Sequence, residues 1–229
     1  IRGGKIERGY IGATIQNFTT EMAEAQGLAN QRGAIVADIS PGGPSQRAGL
    51  QIGDVVVAVN GVAVKSSSDL TRQVARVRAG ENLRLDVIRD GKRRNVDVRS
   101  GVRPSERELA ANDNAGPGGR PGVPGTAPGA GAPVLGMSLG TLDDTARNRL
   151  NLPATVRGAL VENVDQASDA GTKGLRRGDV ITLANGRAVV QPTDLAAIVD
   201  EAKKAGRSSV LVGVYRNGRT AFLPIKVSG

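Results

Sequence analysis

The sequence predicts an α+β fold, mostly β with short helices. One small antiparallel β-sandwich or barrel, capped by two helices, is built twice along the chain. Three observations carry this reading. Leu50-Gln51-Ile52-Gly53-Asp54-Val55-Val56 with Val59-Asn60-Gly61 returns as Leu175-Arg176-Arg177-Gly178-Asp179-Val180-Ile181 with Ala184-Asn185-Gly186, and self-similarity of this kind marks tandem modules. Short apolar runs are punctuated by Asn-Gly and Asp-Gly pairs, the strongest local signal for hairpins. Between the repeats, Ala115 to Pro133 is almost entirely Gly, Pro and Ala.

In the first repeat, Tyr10 to Phe18 reads as a strand and Thr19 to Leu28 as a short helix, with Glu21 and Glu24 near its positive end. Gly33 to Ile39 alternates apolar and polar residues and reads as a strand. Ser40-Pro41-Gly42-Gly43-Pro44 is a turn, and Ser45 to Ala48 a helical piece ended by Gly49. Asp54 to Val59 is a buried strand that turns at Asn60-Gly61. Ser68 to Arg78 is an amphipathic helix with Leu70, Val74 and Val77 on one face and Arg72 and Arg76 away from it. Asn82 to Arg89 and Lys92 to Val98 form a hairpin around Asp90-Gly91.

The second repeat keeps the order. Thr141 reads as the cap of a helix answered by Asp144. Gly158 to Val164 and Asp179 to Ala184 are strands, Thr193 to Lys204 is the long helix, and Val210 to Arg216 with Thr220 to Val227 closes the repeat. Further matches are Gly33-Ala34 with Gly158-Ala159, Asp69-Leu70 with Asp194-Leu195, Ile11-Gly12 with Leu135-Gly136, and Arg89-Asp90-Gly91 with Arg216-Asn217-Gly218. The modules are therefore expected at 1–101 and 134–229. Residues 102–133 form a flexible linker, because such a composition does not bury enough apolar surface to offset its ordering entropy. Its root-mean-square span is on the order of 30 Å.

Composition excludes whole classes of chemistry. The chain has no His and no Cys, so it holds no Ser-His-Asp or Cys-His arrangement and no imidazole or thiolate metal site. No catalytic residue, metal or cofactor is expected. Asp54 and Asp179 have no acidic neighbour in sequence, and Asp54 is expected to accept backbone hydrogen bonds at its turn. The net charge of +9 is spread over both repeats, with 15 basic against 10 acidic residues in 1–101 and 13 against 9 in 134–229. Two Tyr, two Phe and no Trp leave no stacking platform for nucleic acid. A basic surface attracts acidic membranes or substrates in general, but no residue pattern singles out a membrane. No apolar run approaches the roughly 18–20 residues that span a bilayer. The chain opens on Ile1-Arg2-Gly3-Gly4 without an initiator Met or leader pattern, and reads as a piece of a longer protein.

The order strand, helix, strand, Gly-Asp-Val-Val or Gly-Asp-Val-Ile strand, Asn-Gly turn, helix, hairpin resembles the PDZ domain in its bacterial arrangement. Gly4-Lys5-Ile6-Glu7-Arg8-Gly9-Tyr10-Ile11-Gly12-Ala13, with Ala48-Gly49-Leu50-Gln51-Ile52-Gly53-Asp54, resembles the start of the first PDZ domain in HtrA/DegP-family serine endoproteases. That resemblance implies a groove between one exposed strand and the long helix, where a peptide adds as an extra strand. Tyr10, Ile11 and Gly12 would form the loop whose N–H groups hold a terminal carboxylate. Ala13, Thr14 and Ile15 would supply the ladder, and Ile11, Ile15, Leu70 and Val74 the apolar pocket. The same apolar residues serve equally as core, and the sequence does not separate the two roles. Arg8 reads either as a carboxylate partner or as surface charge. In the second repeat the corresponding loop is Leu135-Gly136-Met137, with Leu139, Leu195 and Val199 beside it.

The resemblance implies a non-catalytic, periplasmic substrate-binding and regulatory region whose protease domain lies outside this sequence. Its partners would be unfolded or misfolded polypeptides, hydrophobic C-terminal peptides, the parent's own protease domain, and further copies of the protein in a homo-oligomer. Two alternatives stay open: a purely structural PDZ pair for subunit assembly, and the tandem PDZ region of an intramembrane metalloprotease.

Overall fold

The computed structural model describes residues 9–28, 30–102 and 133–227, which form two units. Arg8 and the residues before it, and the linker apart from Val102 and Pro133, lie outside the described residues.

The first unit contains β1 (Gly9–Tyr10), β2 (Ala13–Phe18), α1 (Thr20–Ala25), β3 (Gly33–Ile39), α2 (Pro44–Arg47), β4 (Val55–Val59), β5 (Val62–Ala63), α3 (Ser67–Arg76), β6 (Asn82–Arg89), β7 (Lys92–Arg99) and β8 (Gly101–Val102). One antiparallel sheet runs β2-β3-β4-β6-β7, with β5 added to β4. Its edges β2 and β7 do not pair with each other, so the sheet is open and no barrel closes. The strand expected over Tyr10 to Phe18 is broken. Gly12 takes a left-handed φ of +69°, which turns the chain, and Tyr10 pairs instead with Gly101 while Gly9 pairs with Val102. Val36, Leu70, Leu83, Leu85 and Val98 fill the core between sheet and α3.

The second unit contains β9 (Met137–Thr141), α4 (Asp144–Arg149), β10 (Ala159–Val164), α5 (Asp169–Thr172), β11 (Val180–Ala184), β12 (Arg187–Ala188), α6 (Pro192–Lys204), β13 (Ser209–Arg216) and β14 (Arg219–Lys226). Its antiparallel sheet runs β14-β13-β11-β10-β9, again open. Thr141 does not cap α4. It ends β9, and Asp143 is the cap, its carboxylate accepting from Ala146 N at 2.7 Å. A carboxylate one residue from the first turn satisfies a helix N–H group that Thr141, held in the ladder with Ala159, does not reach. At the head of α6, the Asp194 carboxyl sits below its usual range because it accepts from Val190 N and Gln191 N.

Four hairpin turns explain the repeated dipeptides. Asn60-Gly61, Asp90-Gly91, Asn185-Gly186 and Asn217-Gly218 all place both residues at positive φ, the geometry that suits the twist of paired strands. Asn60 and Asn185 also accept from the next long strand, at Arg84 N and Leu211 N, each at 2.9 Å. The matched glycines Gly33 and Gly158 have a different reason. A Cβ at either would lie closer than 3.0 Å to a backbone carbonyl, Val56 O or Ile181 O, so β3–β4 and β10–β11 close only over a bare Cα.

The matched aspartates and arginines form one buried clamp per unit. Arg89 Nε and Nη2 donate to the two carboxylate oxygens of Asp54 at 2.6 Å each, and Nη2 also donates to Gly49 O at 2.9 Å. Arg216 does the same to Asp179 and Gly174 O. Gln51 N and Arg176 N complete the two carboxylates. The hydrogen bond to its aspartate holds each guanidinium above its ordinary pKa, partly offset by burial.

One buried polar group differs between the units. Ser45 is 0% exposed, and its Oγ has no hydrogen-bond partner among the described residues. Its counterpart by the repeat is Ala170, also fully buried. A buried hydroxyl without a partner costs about 1–3 kcal/mol. Ser45→Ala is therefore expected to stabilise the first unit by about 1 kcal/mol, allowing for relaxation. Hydrogen exchange of β4 amides, with β11 as internal control, checks it; a loss of protection would show that the hydroxyl has a partner.

Candidate peptide-binding groove

β2 is the edge strand of the first sheet and α3 runs beside it in the opposite sense. Both ends of this pairing are tied. At one end, Gly9 N donates to Val77 O at 3.0 Å, just past the C-terminus of α3. At the other, Asn17 Oδ1 accepts from Ser67 N and Ser67 Oγ at 2.8 and 2.7 Å. Ser66 caps the same helix through its bond from Asp69 N. The strand and helix are thus held at fixed spacing.

The loop Ile11-Gly12 is anchored through its carbonyls. Ser45 N donates to Ile11 O at 2.8 Å and Ser40 N to Gly12 O at 2.9 Å. In a planar trans peptide the carbonyl and the following N–H point in opposite directions. The N–H groups of Gly12 and Ala13 therefore face away from these anchors, toward the open side of β2. Gly12 is required here: it has φ +69°, and a Cβ would meet Pro44 Cδ at 3.0 Å. Tyr10 OH lies 3.3 Å from Ser40 Oγ and steadies the start of the loop.

The side chains divide by depth. Ile11, Leu70 and Val74 are buried in the core cluster, while Ala13, Ile15 and Val77 are half-buried against it. Thr14 is exposed. The residues singled out from the sequence are thus brought together, as a buried floor with a half-exposed apolar rim. Val77 belongs to this rim; it continues the Leu70, Val74 spacing, so the signal was present. Asn17 and Ser67, which tie strand to helix across 50 residues, carry no local signal.

In the second unit, β9 is the edge strand beside α6. Asp165 N donates to Gly136 O at 2.9 Å, matching the anchor on Gly12. Met137, Leu139, Leu195 and Val199 are all buried, and Leu135 packs against the same core. Leu135 and Gly136 both take positive φ, +55° and +76°.

The PDZ domain family matches residues 9–99 and again 133–227. A probable periplasmic serine endoprotease, DegP-like, from Brucella suis biovar 1 is 33% identical over the full length of this chain, which covers 41% of that protein. Its namesake from Pseudomonas fluorescens is 34% identical over 99% of this chain and 44% of its own length. Among solved structures, the HtrA-type protease AlgW with tripeptide is 33% identical, with a TM-score of 0.42 over 47% of this chain and 36% of its own. The chain thus spans less than half the length of the curated relatives it matches. Across two repeats with the same strand order, turns and ion pairs, the chain belongs to the PDZ domain family.

Proposed function

We propose that the first unit seats an extended peptide by strand addition to β2, with a free C-terminal carboxylate at the N–H groups of Ile11, Gly12 and Ala13. The ligand's last apolar side chain rests on Ala13, Ile15 and Val77 above Ile11, Leu70 and Val74. The single observation behind this reading is an edge strand whose first N–H groups face outward beside a half-exposed apolar rim. Main-chain pairing supplies affinity and the apolar rim supplies selection for hydrophobic ends. Together with the kinship to DegP-like endoproteases, this makes the chain a substrate-binding and regulatory region of a periplasmic protease. It captures hydrophobic C-termini or extended segments of misfolded proteins and contributes to assembly of a homo-oligomer. Residues 1–101 and 134–229 act as modules tethered by 102–133.

Titration of the chain with labelled peptides ending in a hydrophobic residue tests this. Saturable binding is expected. C-terminal amidation should weaken it about tenfold or more, since a hydrogen bond to a charged group is worth about 1.5–3 kcal/mol. Gly12→Trp should abolish it. Binding unaffected by amidation would remove the carboxylate from the reading, and no binding at all would leave assembly as the role of the groove-bearing unit.

A further inference from the structure

The two grooves are not equivalent, and the difference lies in a few atoms. In the first unit, Gly12 O is bound by Ser40 N, so Ala13 N–H faces the free edge of β2. In the second unit, Gly136 O is bound by Asp165 N, so Met137 N–H faces the free edge of β9 in the same way. There, however, it is taken. Met137 N donates to Val134 O at 3.0 Å and Val134 N donates to Met137 O at 2.9 Å. This is a reciprocal antiparallel bridge, placed where an added strand would form its first pair.

We propose that Val134–Met137 is a built-in occupant of the second groove: Val134 stands in for the first paired residue of a ligand strand, and Met137 fills the apolar pocket. Three further observations agree. Met137 is 0% exposed, where its counterpart Ala13 is half-exposed. Val134 packs against the second core, whereas its counterpart Tyr10 is drawn off to pair with Gly101. Leu135 is also the exception among the described non-glycine residues at positive φ. The other six are Asn or Asp, which tolerate that region. A leucine there is strained and is held by the bridge and by packing, as expected where a local conformation is fixed for a purpose.

Peptide capture is thereby assigned to the first unit, and the second opens only when Val134 leaves the free edge of β9 at Met137. This inference rests on the peptide-binding reading above for its ligand, but not for the occupant itself. The test uses the whole chain, a peptide with a free hydrophobic C-terminus, calorimetric stoichiometry and residue-resolved amide exchange. The unaltered chain should bind one peptide. Met137→Ala, and Leu135→Pro, whose fixed φ near about −65° forbids the positive φ that the bridge needs, should add a second site or raise affinity there at least tenfold. The reciprocal Ala13→Met should weaken the first site at least tenfold. The Met137 amide should exchange at least tenfold more slowly than the Ala13 amide after correction for intrinsic rates.

Two peptides bound per unaltered chain, with shifts at both grooves, would overturn the proposal. So would a folded Leu135→Pro chain that gains no second site. Absence of peptide binding in every variant would sink the reading of the first unit. The occupant would then be judged on the Met137 amide alone, slow exchange supporting it and fast exchange overturning it.

Discussion

Arg89→Ala is expected to lower the stability of the first unit by about 3–5 kcal/mol, the usual cost of stranding one partner of a buried ion pair. Asp54 is 1% exposed, and without the guanidinium its charge keeps only Gln51 N among the bonds that now satisfy it. The paired experiment is Arg216→Ala. Arg216 is 42% exposed, against 18% for Arg89, so water more readily replaces it, and the loss should be smaller. Amide exchange across β4 and β6 reads Arg89→Ala, exchange across β11 and β13 reads Arg216→Ala, and each pair of strands is the control for the other variant. A loss below about 1 kcal/mol at Arg89 would place the pair with ordinary surface salt bridges. Because each guanidinium is raised above its usual pKa, its share of stability is fully present at lower pH. It fades only as pH rises through the raised value, so neutral and acidic titrations leave the arginine side of the clamp unchanged.

Leu70→Ala separates core from groove. Leu70 is fully buried at the centre of α3's inner face, and truncation of such a residue costs about 2–5 kcal/mol. Ile15 is half-buried, so Ile15→Ala should cost under about 1.5 kcal/mol in stability while reducing peptide affinity. Unfolding of both variants in urea, alongside peptide titration, gives the comparison. Equal stability losses would show that Ile15 is core and that the rim ends at Ala13 and Val77.

Much of this molecule was readable from the chain alone, for reasons that differ by element. The hairpins were legible because two consecutive left-handed residues demand Asn-Gly or Asp-Gly, and the chain supplies them four times. The long helices were legible from the Leu70, Val74 and Leu195, Val199 spacing. The clamp was half legible: Asp54 and Arg89 each recur at their repeat positions, but that they meet depends on β4 lying beside β6. The break after Tyr10 was hidden, since Gly12 alone does not say which way the chain turns. Leu135 was hidden more thoroughly, because a leucine at positive φ violates the local preference that made the other turns visible. Thr141 misled because two acceptors, Thr141 and Asp143, compete to begin one helix, and pairing with Ala159 in the sheet removed the first.

The short ladder of β1 with β8 has a mechanical consequence. Gly9 and Val102 lie side by side, so a pull applied through the two ends of the first unit peels this ladder open one pair at a time instead of shearing the main sheet. Two residue pairs loaded in that way resist weakly, while the long β6–β7 ladder bears no direct load. The next connection along the line of force is Gly9 N to Val77 O, and behind it stands the Ile11-Gly12 loop. Tension on the chain would therefore reach the Ile11-Gly12 loop well before it reached the core, shifting the head of β2 while the body of the unit stayed folded.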